Sequence, residues 1–254
     1  INVVCDGENI LLSTEIAGDE AGRMAKRLKN VPILVGSDRY QIGRYAIKHF
    51  GVDTLILDDG FQHLALKRDM NILLFDHRRP FGNGQLFPAG ELREPKKEAR
   101  RANFVCITRY SGSSYPPGIS ERLIKDFPLV KSTLRLDSLS NLNNGEVLDV
   151  KQLRDQPVVA FSGIANPDDF RKILEKSGAR VACYHPFPDH HEYILNDIRQ
   201  IEDSARKSGA KFILTTEKDA VKVNLSSTTL HFYKVALEME ILEGREMFNQ
   251  HVLS

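Results

Sequence analysis

Short apolar runs separated by helix-like segments recur along the whole chain, and this alternation restricts the fold more than any other feature. Residues 31–35, 54–57, 71–75, 102–108, 131–136, 158–161, 179–184, 211–214 and 231–241 read as strands. Between them, 24–28, 38–50, 98–101, 166–176 with Pro167 in its first turn, and 193–208 read as helices. Strands that alternate with helices imply an α/β fold with a mostly parallel sheet covered on both faces. At 254 residues the chain suits two modest domains. The expected division is a core domain over 1–130, a connection over 131–156 and a smaller α/β domain over 157–254. Residues 1–13 suggest a hairpin turning at Asp6-Gly7-Glu8, and the breaker-rich 110–118 an edge loop.

Charge and cysteine usage exclude several classes. With 35 Lys and Arg against 34 Asp and Glu, the net charge of +1 carries no polyanion signature, so no nucleic-acid partner is expected. Cys5, Cys106 and Cys183 are widely spaced and form neither a disulfide framework nor a CxxC metal knuckle, which suits a reducing compartment. No apolar run approaches the roughly 18 residues that span a bilayer. The chain begins at Ile1, inside a strand-like segment, and an N-terminal portion is expected to be missing.

Four stretches carry candidate chemistry. Residues 54–57 end abruptly in Asp58-Asp59-Gly60, which reads as a buried parallel strand delivering two carboxylates to its C-terminal edge, or as a plain turn after a strand. Adjacent carboxylates repel, so a cation or donors should lie between them. Asp19 and Glu20 stand at a helix start, where acids complement the helix dipole or serve a site. Asp189-His190-His191-Glu192 lacks the i, i+4 spacing that sets two metal ligands on one helical face. It can supply one catalytic histidine, since imidazole titrates near neutrality, while His191 and Glu192 read as a solvated helix start. In Thr215-Thr216-Glu217-Lys218-Asp219 the hydroxyls suit a helix cap; Lys218 is open as a phosphate contact and Lys222 reads as surface charge.

Taken together these stretches resemble the tetraacyldisaccharide 4'-kinase family. The resemblance rests on Ala17-Gly18-Asp19-Glu20, Ser37-Asp38-Arg39-Tyr40, Asp58-Asp59-Gly60-Phe61-Gln62-His63, Arg68-Asp69, Gly82-Asn83-Gly84, and Pro88-Ala89-Gly90-Glu91-Leu92-Arg93-Glu94-Pro95. It continues in order through Phe161-Ser162-Gly163-Ile164, Phe187-Pro188-Asp189-His190 and Thr215 to Asp219. It implies transfer of the ATP γ-phosphate to the 4'-hydroxyl of a lipid disaccharide 1-phosphate at the cytoplasmic face of the bacterial inner membrane. It also implies a P-loop NTPase-like first domain, a smaller α/β second domain, and an active site in the cleft between them. Under it, Asp19 is the general base, hydrogen-bonded to His190, and Glu20, Asp58 and Asp59 are Mg²⁺ ligands. Gln62, Arg93 and Glu94 contact ATP or complete its site, and Arg39 and Arg68 are further phosphate contacts or structural ion pairs.

The family's Gly-rich GxxxxGK[ST] loop is not among these residues, nor is the N-terminal hydrophobic segment expected to dock on the membrane. The expectation is that residues 1–254 are a fragment that alone binds ATP weakly and does not turn over. A metal-dependent phosphohydrolase using Asp58, Asp59 and His190, and a non-catalytic ligand-binding module, are the competing readings.

Overall fold

The computed structural model describes residues 1–112, 127–225, 228 and 230–252. Most of the expected 110–118 loop therefore lies outside the described residues. The chain forms two units, Ile1–Leu73 with Lys97–Ala102, and Leu74–Lys96 with Asn103–Ser254.

The first unit is built on a two-stranded antiparallel ribbon of β1 (Asn2–Cys5) and β2 (Ile33–Val35), with α1 (Thr14–Ala17), α2 (Asp19–Arg27) and α3 (Arg39–Phe50). Its small core comprises Val4, Cys5, Ala21, Ala25 and Ile33. Ala21, Gly22 and Ala25 are the buried residues of α2, and Asp19 and Glu20 open it while Lys26 and Arg27 close it, as the helix dipole favours. A Cβ at Gly22 would come within 2.8 Å of Thr14 Oγ1, so the bare glycine lets α1 and α2 approach. Asp38 caps α3 by accepting from the Tyr40 and Gln41 amides at 3.0 Å each, and Gly51 ends it at φ 64°.

Two expectations for this unit are corrected. The 1–13 hairpin reduces to an isolated Cys5–Ile10 bridge, because β1 takes its ladder from β2 instead. Residues 54–57 are not a strand: no described strand lies beside them to satisfy their backbone groups, and Ile56 is 92% exposed.

The second unit carries the parallel strands. Among the described residues an eight-stranded sheet runs in the order β3-β4-β5-β10-β9-β7-β8, with β6 beside β5. Its strands are β3 (Ile72–Asp76), β4 (Phe104–Thr108), β5 (Leu129–Asn141), β6 (Val147–Asp149), β7 (Pro157–Ser162), β8 (Arg180–Pro186), β9 (Phe212–Thr216) and β10 (Phe232–Glu243). Its helices are α4 (Pro167–Lys176), α5 (Leu195–Ser208), α6 (Glu217–Ala220) and α7 (Arg245–Val252). The segment 131–156 is not a linker: β5 pairs parallel with β4 and antiparallel with β10 over a long register, joining the two halves of one sheet.

Strand β7 shows why this half is parallel and covered. Val158, Val159, Ala160 and Phe161 are all fully buried, but alternate residues face opposite ways. Val158 and Ala160 pack with Phe170 and Leu174 of α4, whereas Val159 and Phe161 pack with Ile198, Ile201 and Ala205 of α5. Strands β10, β9, β7 and β8 are neighbours in that order and all parallel. The chain leaves β7 toward β8 and leaves β9 toward β10, so the connections diverge between β7 and β9. That is a topological switch point, where open α/β sheets bind ligands beyond the carboxyl ends of their strands.

Candidate active site

In the first unit the Asp58-Asp59-Gly60-Phe61-Gln62-His63 segment is a turn held by arginines that donate to its carbonyl oxygens. Arg39 reaches the carbonyls of Asp58 and Asp59 at 3.4 Å. Arg68 donates to the Gly60 carbonyl at 3.1 Å, to the His63 carbonyl, and through Nε to Asn71 Oδ1 at 2.6 Å. Arg101 donates to the Phe61 carbonyl at 3.3 Å and stacks its guanidinium on that ring at 4.8 Å. Asp59 stands at φ 46°, a region that non-glycine residues rarely adopt but that Asp tolerates, and its amide donates to Asp58 Oδ1 at 3.0 Å. The guanidiniums thus shape this backbone through its oxygens and turn both carboxylates to the surface, where Asp58, Asp59 and Gln62 are exposed.

Asp19 and Glu20 sit exposed in the first turn of α2, in the same unit. No group of three or more His, Cys, Asp and Glu side chains converges on a metal position among the described residues. Exposed carboxylate oxygens without nitrogen or sulfur donors nevertheless suit Mg²⁺, which keeps several waters and takes one or two carboxylates together with phosphate oxygens.

In the second unit Arg93 and Glu94 end a folded loop rather than a loose one. Asn83 organises it, donating to the Ala89 carbonyl at 2.9 Å and accepting from the Gln85 amide at 3.1 Å. Leu86 and Leu92 pair across it, and Lys96 lies over the Phe81 ring at 5.0 Å. A Cβ at Gly90 would collide with Asn83 Oδ1 and the Gln85 carbonyl, which explains the glycine there.

The three remaining motifs meet at the switch point of the same unit. Asp219 is fully buried just beyond β9, where Oδ2 accepts from the Gly163 amide after β7 at 3.1 Å and from Thr216 Oγ1 at 2.6 Å. Thr216 in turn caps α6 by accepting from the Asp219 amide at 3.1 Å. Ser162 Oγ meets the Tyr184 hydroxyl, which donates on to the Pro167 carbonyl at 3.1 Å. Burial first, then nearby carboxylates, push the Tyr184 hydroxyl up to about 12 and raise that of Tyr193 further. Both phenols stay neutral.

From this base the 187–191 loop projects. His190 has φ 62°, donates its amide to the Gly163 carbonyl at 3.3 Å, and leaves its side chain 72% exposed. Lys218 Nζ lies 2.6 Å from Asp189 Oδ1 and 3.4 Å from His190 Nε2, and its hydrogen bond holds the Asp189 carboxyl below the usual range. His191 is not a solvated helix start: it pairs with Asp197 at 2.9 Å and stacks on Phe187 at 4.6 Å. Lys222 donates to the His191 carbonyl at 3.3 Å.

Asp19, Glu20, Asp58, Asp59 and Gln62 thus belong to the first unit, and Arg93, Glu94 and His190 to the second. Sequence reasoning missed the anchoring role of Asp219, the Lys218–Asp189 pair and the part played by Arg101. The Thr216-x-x-Asp219 spacing signals a cap and was the one available clue to Asp219. Arg101 offers none, since its partner lies 40 residues away.

The family model for tetraacyldisaccharide-1-P 4'-kinase, LpxK, matches residues 2–254. The chain belongs to the LpxK family. It is 41% identical over 234 residues to the tetraacyldisaccharide 4'-kinase of Syntrophus aciditrophicus, covering 88% of this chain and 63% of that protein. It is 38% identical over 242 residues to the enzyme of the same description from Geobacter sulfurreducens, covering 95% and 67%. The chain therefore spans a little under two thirds of the length of the first of these relatives. A crystal structure of the "apo" form of LpxK from Aquifex aeolicus in complex with ATP superposes with a TM-score of 0.70 at 31% identity, covering 99% of this chain and 73% of that one. The α/β class expected from the sequence is the class of this LpxK structure. Among the described residues no helix is long and apolar enough to cross a membrane.

Proposed function

We propose that the full-length protein carries out the LpxK reaction: transfer of the ATP γ-phosphate to the 4'-hydroxyl of a tetraacyldisaccharide 1-phosphate in lipid A biosynthesis, at the cytoplasmic face of the inner membrane. The observation that carries the reading is the family match over residues 2–254, which takes in every motif singled out from the sequence. The ATP complex of the Aquifex aeolicus relative supports the nucleotide. Family membership does not favour the phosphohydrolase and binding-module alternatives.

Phosphoryl transfer is mostly positioning and charge neutralisation, and the roles follow from that requirement. Asp19 takes the proton of the acceptor hydroxyl as general base, and His190 supports it. Asp58 and Asp59, with Glu20, are the oxygen donors that would hold Mg²⁺, which when bound neutralises charge on the phosphate oxygens. Gln62 lies beside those donors in sequence, and Arg93 and Glu94 are assigned to the nucleotide site. Arg39 and Arg68 hold the backbone of the Asp58–His63 turn.

The test is ATP-dependent 4'-phosphorylation by the protein expressed from its natural start codon, beside Asp19→Ala. Loss of the base is expected to lower the rate by roughly 10²–10⁴-fold. A wild-type protein inactive with Mg²⁺ and detergent-solubilised substrate overturns the reading.

A further inference from the structure

The exposed ring of His190 is reached by polar contacts rather than enclosed by packing. Its backbone occupies the left-handed region at φ 62°, held there by hydrogen bonds from its amide to the Gly163 carbonyl and to Asp189 Oδ1 at 3.0 Å. With the side chain 72% exposed, little apolar contact restrains the imidazole. What does reach it is Lys218, at 3.4 Å from Nε2. Lys218 is itself well placed, because it follows the Thr216 cap and immediately precedes the buried Asp219 at the end of β9.

We propose that Lys218 is a positioning residue for His190, holding the imidazole as the tautomer that carries its proton on Nδ1. An ammonium has three donors and no acceptor, so a ring nitrogen in contact with it must offer its lone pair. That requirement places the ring proton on Nδ1. Asp189 completes the device: Lys218 neutralises its carboxylate at 2.6 Å, and its Oδ2 stands 3.9 Å from Nε2, too far to accept a hydrogen bond from it. The neighbouring imidazole of His191 is engaged elsewhere, with Asp197. The outcome is an imidazole whose Nδ1–H donor is turned away from the lysine and open to a carboxylate acceptor.

The link from this geometry to catalysis rests on the role proposed for His190 above, whereas the tautomer itself does not. The two are separable by experiment. Long-range ¹H–¹⁵N correlation spectra of the full chain, with the His190 ring assigned by its disappearance in His190→Gln, report the tautomer at a pH where the ring is neutral. The expected wild-type pattern is a protonated Nδ1 and a bare Nε2. Lys218→Met should shift the ring toward the Nε2–H form that exposed histidines favour, and Lys218→Arg should keep the wild-type pattern. A wild-type ring protonated on Nε2 overturns the proposal even if Lys218→Met fails to fold, and so does an unchanged spectrum in a folded Lys218→Met. In the phosphorylation assay Lys218→Met should lower kcat by roughly tenfold with KM unchanged. If the tautomer shifts as expected while kcat holds, Lys218 still positions the ring and the catalytic role given to His190 is the part that fails.

Discussion

The Asp58–His63 turn and the 187–191 loop both present candidate site residues to solvent, yet they are held in opposite ways. The second stands on three parallel strands, of which β7 and β9 are tied at their ends by the buried Asp219, so its position derives from the sheet. The first has no strand beneath it among the described residues and takes its shape from arginine side chains on its carbonyl oxygens. A loop on a packed sheet inherits the rigidity of the core. A loop held by guanidiniums depends largely on such hydrogen bonds, each worth about 1.5–3 kcal/mol net where a charge is involved.

Substitutions at matched positions can break this contrast. The largest effect is expected at β7: Phe161→Ala, in a fully buried site packed against α5, should cost about 3–5 kcal/mol in urea denaturation followed by circular dichroism. Truncating the most exposed residue of the apolar run before Asp58, as Ile56→Ala, should change stability by less than about 0.5 kcal/mol; a comparable loss would mean that this run is buried after all.

Arg68→Ala should come next, at about 2 kcal/mol, because it strips the Gly60 and His63 carbonyls and Asn71 of one shared donor. The loss should appear as faster amide exchange confined to residues 58–71. Arg68→Lys should not restore protection, since an ammonium lacks the planar fork that reaches all three acceptors. Exchange that rises equally in β7 would show that the turn is coupled to the sheet and would erase the contrast.

The smallest effect concerns the helix entry behind the second loop. Burial raises the Asp197 carboxyl, but its bonds from His191 and the Ile194 amide outweigh that and leave it below its ordinary 3.8. A carboxyl depressed in the folded state contributes stability above its unfolded value and loses it as pH falls through the folded one. Wild type should therefore lose more stability than Asp197→Asn as pH drops below 3.8, by about 1 kcal/mol or less. Parallel acid profiles for the two proteins would remove this ion pair from the account.

Much of the fold was legible in the chain. The apolar periods located β7, β8, β9 and β10 and helices α3 to α5 to within a few residues, because each of these buries its apolar residues against neighbours that the same pattern implies. The run at 54–57 shows where that inference stops. Four apolar-to-neutral residues ending in acids have strand character, but a strand exists only where another strand takes its backbone hydrogen bonds, and no local pattern supplies that partner.

The candidate site divides along the same line. The ordered motifs carried the resemblance that the family match bears out, and the acids, histidine and arginines proposed for the site came with that resemblance. Tertiary structure decided what each of them does to its neighbours. It set Arg39, Arg68 and Arg101 on carbonyl oxygens, tied β7 to β9 through a buried Asp219, and brought Lys218 to His190 across 28 residues of sequence. Residue type encodes what a side chain can donate, accept or ionise. Which donor meets which acceptor depends on the crossing of strands far apart in the chain, and only the packed sheet specifies that.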